Sequence, residues 1–235
     1  MTVRCVWEHN RGDTLLHAVD FPGACTRGEC LEVALRKMPR EMGDYLRWMG
    51  ETVPDTIRAE IVEEKVSALQ IRDADSDALF SAERRSLTEE EYVALKSLAL
   101  KSAQDFLTLY RSVPDKGAPL APFRTTFYGQ APHTAEDMYR HTQSVNAYYF
   151  AEINVEADNK GDILLCRKRG FDALETKPDF LQGAVCEGSY GEDWSLRKVL
   201  RRFIWHDRIH AKAMYRRAAL LFGEGRVENP YGFRG

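Results

Sequence analysis

Apolar residues alternate with polar ones only near the start of the chain; beyond that they recur in threes and fours. Val3 to Trp7 is apolar and β-branched, which predicts a short strand. His9-Asn10-Arg11-Gly12-Asp13 reads as a polar turn, and Leu15 to Val19 as a second strand. Phe21-Pro22-Gly23 breaks that strand, and Ala24 to Thr26 resumes pairing. Gly28-Glu29-Cys30 leads into a helix marked by Leu31, Ala34, Leu35, Met38, Met42, Tyr45, Leu46 and Met49, with Gly43 inside the run. Thr56 to Ile71 alternates again and should return to the sheet. The expected first unit, residues 1–72, is therefore α+β: a small antiparallel sheet with one helix.

Residues 73–86 are charged and poor in large apolar side chains, the composition of a linker, although Leu79 and Phe80 suggest that it docks. The rest reads as helices. Thr88-Glu89-Glu90-Glu91 fits a capping box, and the helix it opens should run to about Ser112, before Pro114, Pro119 and Pro122. Thr134 is a good cap for a second helix, with Glu136 and Asp137 favourable in its first turn, reaching about Val155. A third helix covers Gly161 to Thr176, stopped before Pro178. After a glycine-containing loop, Asp193 opens a fourth that ends near Phe222, where Gly223 can cap it. Four such helices predict an all-α four-helix bundle over residues 87–223. Residues 224–235 should form an irregular tail pinned to the surface by Tyr231 and Phe233.

Composition narrows the class. Of 235 residues, 44% are hydrophobic and 29% charged, so a folded globular chain is expected. A net charge of −3 gives no footprint for general nucleic-acid binding. One helix does carry Arg197, Lys198, Arg201, Arg202, Arg208, Lys212, Arg216 and Arg217, which read as a solvated face. The five cysteines, Cys5, Cys25, Cys30, Cys166 and Cys186, include no C-x-x-C pair and suit reduced thiols in the cytoplasm. Met1 to Asp13 has no apolar signal region, and no run of about 18 apolar residues exists, so neither export nor a membrane span is expected.

The candidate chemistry is histidine. Trp205-His206-Asp207-Arg208-Ile209-His210 places two histidines at i and i+4, stacked on one helix face. They continue the apolar stripe Leu196, Val199, Leu200, Phe203, which turns both inward. On the second helix the stripe Met138, His141, Val145, Tyr148 or Tyr149, and Glu152 turns His141 inward as well. Three imidazoles suit Zn, Ni, Fe or Cu and leave coordination positions open, the mark of a catalytic rather than a structural ion. The competing reading is a buried polar cluster satisfied by Asp207, Tyr148 or Glu152. Asp207 lies about 100° around the helix from His206, suited to orienting a neighbouring imidazole rather than to ligation. Glu152 is a candidate fourth ligand or proton acceptor. Tyr148 or Tyr149 is a candidate donor to a substrate oxyanion.

These residues carry a resemblance. Met138-Tyr139-Arg140-His141 and Trp205-His206-Asp207-Arg208-Ile209-His210 are similar to the second-helix and last-helix motifs of the DinB/YfiT-like superfamily, over roughly residues 85–222. The resemblance implies a divalent ion, usually Zn or Ni, on His141, His206 and His210. Some members of that superfamily are metal-dependent transferases for low-molecular-weight thiols. At the other end, Asp20-Phe21-Pro22-Gly23, then Gly28 and Leu31-Glu32-Val33-Ala34-Leu35, resembles the HicB antitoxin-like domain, which binds and blocks an RNA-cleaving partner. The DNA-binding segment that follows such domains is missing from the pattern. The resemblance therefore implies an accessory unit that binds a ligand, a protein partner or a second copy of the chain.

Two functions follow as expectations. The first is a metal-dependent transferase or hydrolase that activates a thiol or water for an unidentified small-molecule substrate. The second is a non-catalytic interaction protein whose N-terminal sheet docks a partner.

Overall fold

A computed structural model of the chain describes residues 1–126, 128–182 and 185–234. Gly183 and Ala184, in the expected loop, and Gly235, in the tail, lie outside the described residues, as does Phe127. The chain opens with β1 (Thr2–Asn10), β2 (Asp13–Ala18), β3 (Cys25–Gly28), α1 (Leu31–Trp48) and β4 (Arg58–Val66). The strands form one sheet in the order β3-β2-β1-β4. The expected antiparallel sheet needs correction. β1–β2 and β2–β3 are antiparallel, but β4 runs parallel to β1, with Thr2 opposite Arg58. The 18 residues of α1 supply the long return that a parallel neighbour requires. Alternation along 56–71 gave the pleat but not the strand's direction.

Gly23 (φ 88°) makes the turn before β3, and its backbone passes so close to Ile204 and Trp205 that a Cβ would collide with both. This close approach is one seam between the sheet and the helices that follow.

Those helices are α2 (Glu89–Ser112), α3 (Ala135–Ala151), α4 (Ile163–Glu175) and α5 (Leu196–Phe222). Capping boxes start the first two. Glu91 N donates to Thr88 Oγ1 at 3.1 Å, and Asp137 N donates to Thr134 Oγ1 at 3.1 Å. α3 stops at Ala151, short of the expected Val155, because Asn154 takes a left-handed conformation (φ 59°) and turns the chain. α5 begins at a Ser195 cap, two residues after Asp193, because Asp193–Trp194 pairs as a short strand with Cys186–Glu187.

α5 packs on α2 and α3, and α4 packs on the same two helices. Phe106, Phe150, Phe171 and Phe203 fill the space between them. The same apolar cluster continues through Met38, Trp48 and Leu16 into the sheet, so one core joins both parts of the chain.

Two expectations about the surface fail. Tyr231 and Phe233 are not surface pins. They stack on one another inside the core, Tyr231 meets Trp48, and Tyr231 Oη donates to the Ser102 carbonyl at 2.6 Å. Nor is the basic stripe of α5 a solvated face over its whole length, although Arg216 and Arg217 near its end are exposed. Lys198, Arg201 and Arg208 are buried, because α1 and the 73–86 segment cover that side of the helix. Arg201 pairs with Glu83 and donates to the Ala78 carbonyl, while Lys198 reaches Glu192 and the Asp77 carbonyl. Arg208 and Lys212 share Glu41 of α1. Burial alone would raise the Glu41 carboxyl, yet those two cations hold it below its ordinary range. Among the described residues no helix is long and apolar enough to cross a membrane.

Candidate metal centre

His141 stands in the middle of α3, and His206 and His210 on successive turns of α5. Because α3 packs against α5, the rings meet. Ring centroids are 5.0 Å apart for His141–His206, 4.8 Å for His141–His210 and 4.6 Å for His206–His210. One nitrogen from each ring lies within 4.8 Å of the others.

The closest approach is informative. Nε2 of His141 and Nε2 of His206 are 3.3 Å apart. Two nitrogens bound tetrahedrally to one zinc, each at about 2.0–2.1 Å, would stand about 3.3–3.4 Å from each other. An N–H···N hydrogen bond between neutral rings has nearly the same length. The third ring separates the two readings, since a hydrogen-bonded pair needs no third imidazole aimed at the same point.

Electrostatics keeps the rings ready to ligate. Burial lowers the pKa of His141. Burial, followed by the proximity of His210 and His141, lowers that of His206 far more. His210 is pushed down to about 3 by burial and by His141. All three are therefore neutral at pH 7 and hold lone pairs for a cation. Nδ1 of His206 is buried without a partner, and Trp205 and Tyr149 lie against the ring. Tyr128 stacks on His141, with ring centroids 5.6 Å apart.

The cluster opens onto a cavity of about 1370 Å³ between the N-terminal unit and the helices. Cys25 and Glu41 line one side; Val145, Tyr148, Tyr149 and Arg202 line the other. Trp205 Nε1 donates to Cys25 Sγ at 3.1 Å and ties α5 to β3 at the wall.

The remaining predicted residues separate. Tyr148 lines the cavity, and its phenol is held protonated by burial and by the neighbouring Glu152. Tyr149 is buried beside His206. Glu152 caps the far end of α3, 11 residues from His141 and so about 16 Å away along the axis. Its carboxylate accepts from Ser189 N at 2.6 Å, and it does not line the cavity. The structure thus does not bring Glu152 to the histidines.

Asp207 needs correction. It orients no imidazole, because its two oxygens face Arg167 of α4 at 3.1 Å each, with both side chains fully buried. The helix rotation that turns His206 toward the cavity turns Asp207 toward α4.

Arg202 was missed as a cavity residue. Its signal was available in the spacing, one turn before His206 on the same stripe, but the run of basic residues around it disguised it.

Comparison of this chain with protein-family models, with curated proteins and with solved structures found no match in any of the three.

Proposed function

We propose that this protein is a metal-dependent enzyme, a transferase or hydrolase of the DinB-like type, whose divalent ion (Zn or Ni) is held by His141, His206 and His210. The observation that carries this reading is the convergence of three neutral imidazoles from two helices at the wall of a large cavity. The packing of α5 and α4 on α2 and α3 supports reading residues 87–223 as the four-helix bundle of that superfamily. The N-terminal sheet then serves as a HicB-like accessory unit that closes the other side of the cavity. The five free cysteines fit a reducing cytoplasm.

When bound, such an ion lowers the pKa of a coordinated thiol or water and so supplies a nucleophile at neutral pH. The chain's own residues do the rest. His141, His206 and His210 fix the ion with neutral nitrogens and leave its cavity side open. Tyr148, kept protonated, presents a hydroxyl donor to a substrate oxyanion. Tyr128, Trp205 and Tyr149 restrain the imidazoles by contact. Val145 and Tyr149 give the wall apolar surface that excludes water.

Metal analysis of the purified protein tests the reading. One equivalent of ion, lost in His206→Ala and His210→Ala, is expected. Metal content unchanged in His141→Ala, His206→Ala and His210→Ala alike overturns it. Turnover of thiol co-substrates by the loaded protein, absent from the metal-free one, then separates an enzyme from an interaction scaffold.

A further inference from the structure

Arg216 and Arg217, near the end of α5, are exposed; the other cations of the helix fall into two groups. Arg197, Lys198, Arg201, Arg208 and Lys212 each lie within ion-pairing distance of a carboxylate. Arg202 sits among them, partly buried, and makes no ion pair among the described residues. Its Nη1 donates to the Ser76 carbonyl, the Tyr149 hydroxyl is within hydrogen-bond reach, and its Nε is buried without a partner. The guanidinium carbon lies 5.4, 5.6 and 4.9 Å from the ring centres of Tyr149, Trp194 and Trp205, an aromatic cage that fixes its position.

The cage faces the cavity that the three histidines line. Arg202 and His206 are four residues apart, about 6 Å along one helix, and both lie against Tyr149. A guanidinium that lines a cavity and has no carboxylate partner calls for an anionic acceptor on its open edge. The nearby carboxylates do not supply it. Glu192 is held by Lys198; Glu8 gives one oxygen, Oε2, to His17 and Ser76, and its other oxygen, Oε1, is buried and meets no donor, Arg202 included. Asp75 also borders the cavity and makes no ion pair with Arg202; its negative charge disfavours a phosphate dianion more than a carboxylate.

We propose that Arg202 anchors the carboxylate of a small-molecule substrate or co-substrate whose reacting end lies one helical turn away, at the histidine cluster. The identity of that second anchor rests on the metal-centre reading; the anion site itself does not. The aromatic cage holds the guanidinium in place before the ligand arrives, so little conformational entropy is lost on binding. Specificity follows from the unpaired charge. An acid meets it as an ion, whereas the matching amide offers only a neutral carbonyl, a difference worth about tenfold or more in affinity.

The test uses β-mercaptopropionate and β-mercaptopropionamide, equal in length and differing in charge. On the metal-free protein, the Arg202 Nε–H resonance (assigned by its disappearance in Arg202→Lys) is followed during titration with each. It should move downfield with the acid and stay with the amide. On cobalt-loaded protein, the thiolate-to-cobalt absorption band should report acid binding about tenfold tighter than amide binding. That preference should be lost in Arg202→Gln, whose folding is checked by its thermal midpoint. If cobalt does not bind the histidines but the Nε resonance still answers the acid alone, the metal reading falls and the anion anchor stands. A resonance that ignores the acid, answers both probes equally, or answers only inorganic phosphate overturns the proposal.

Discussion

Asp207→Ala should destabilise the fold by about 3–5 kcal/mol and leave metal binding unchanged. The magnitude comes from the burial of the pair. Arg167 and Asp207 are both 0% exposed, joined by two hydrogen bonds of 3.1 Å, and the guanidinium lies 3.9 Å over the Phe203 ring. Removing the carboxylate strands a cation in the core, and breaking a buried pair from one side costs about 3–5 kcal/mol. For a chain of this length that corresponds to a fall of roughly 6–20 °C in the melting midpoint. The pair itself is not a large stabiliser. Burial raises the Asp207 carboxyl above its ordinary value, and Arg167 only partly offsets the rise. Replacing both partners by apolar residues, Arg167→Met with Asp207→Leu, should therefore return most of the loss, less about 1–3 kcal/mol for the Asn146 Oδ1 left without its donor. Urea unfolding of the three proteins, with metal titration of each, measures both quantities. If Asp207 instead oriented an imidazole, metal affinity would fall about 10–100-fold. A stability loss below about 1 kcal/mol together with such a fall would refute the placement of Asp207 against Arg167 of α4.

Acidification should weaken the metal-free protein through its histidines. Their folded pKa values lie below the unfolded value near 6.5, so the unfolded chain binds more protons. The stability they contribute is complete above about pH 6.5 and is lost as pH falls toward the folded pKa, which for His210 is about 3. A ring protonated only in the unfolded chain costs the fold at most about 1.4 kcal/mol per pH unit, and about 1 kcal/mol between pH 6.5 and 5.5, so urea midpoints should drop over that range, and His206→Gln with His210→Gln should flatten the slope; an unchanged slope contradicts the burial of these rings. Gly170→Ala should cost about 1–3 kcal/mol, because a Cβ there would fall within the Phe150 ring at the α3–α4 contact. A midpoint raised by the better helix propensity of alanine would show that this packing is looser than drawn.

Local chemistry made much of the helical part legible. Thr88 with Glu91, and Thr134 with the residues of its first turn, carry their capping bonds in the sequence, and the bounds of α2 and the start of α3 follow from them. The i, i+4 histidine pair was equally local, and His141 joined it because its stripe turns inward. What failed depended on partners distant in sequence. The direction of β4 is set by how α1 returns the chain, which alternation does not encode. Asp207 meets a residue 40 positions away, so nothing beside it in the chain announces Arg167. Tyr231 and Phe233 read as surface pins because their cavity is built by Trp48 and Ser102.

The basic run on α5 shows why periodicity misled most at the site. Sorting residues by one apolar stripe assumes that the rest of a helix faces water. The first half of α5 is instead enclosed by α1, the 73–86 segment, α2 and α3, so polar residues there must find partners inside the protein. Arg201 and Arg208 do so through Glu83 and Glu41, and these contacts join the N-terminal unit to the helices. On the cavity side the logic reverses. Arg202 Nε and His206 Nδ1 lie one turn apart, both buried and unpartnered, and each such group costs the fold about 1–3 kcal/mol. The neighbouring cations show that carboxylates are supplied on this helix where a charge serves structure. Arg202, a cation without a carboxylate partner on the wall of a large cavity, is therefore where the charge of a ligand fits.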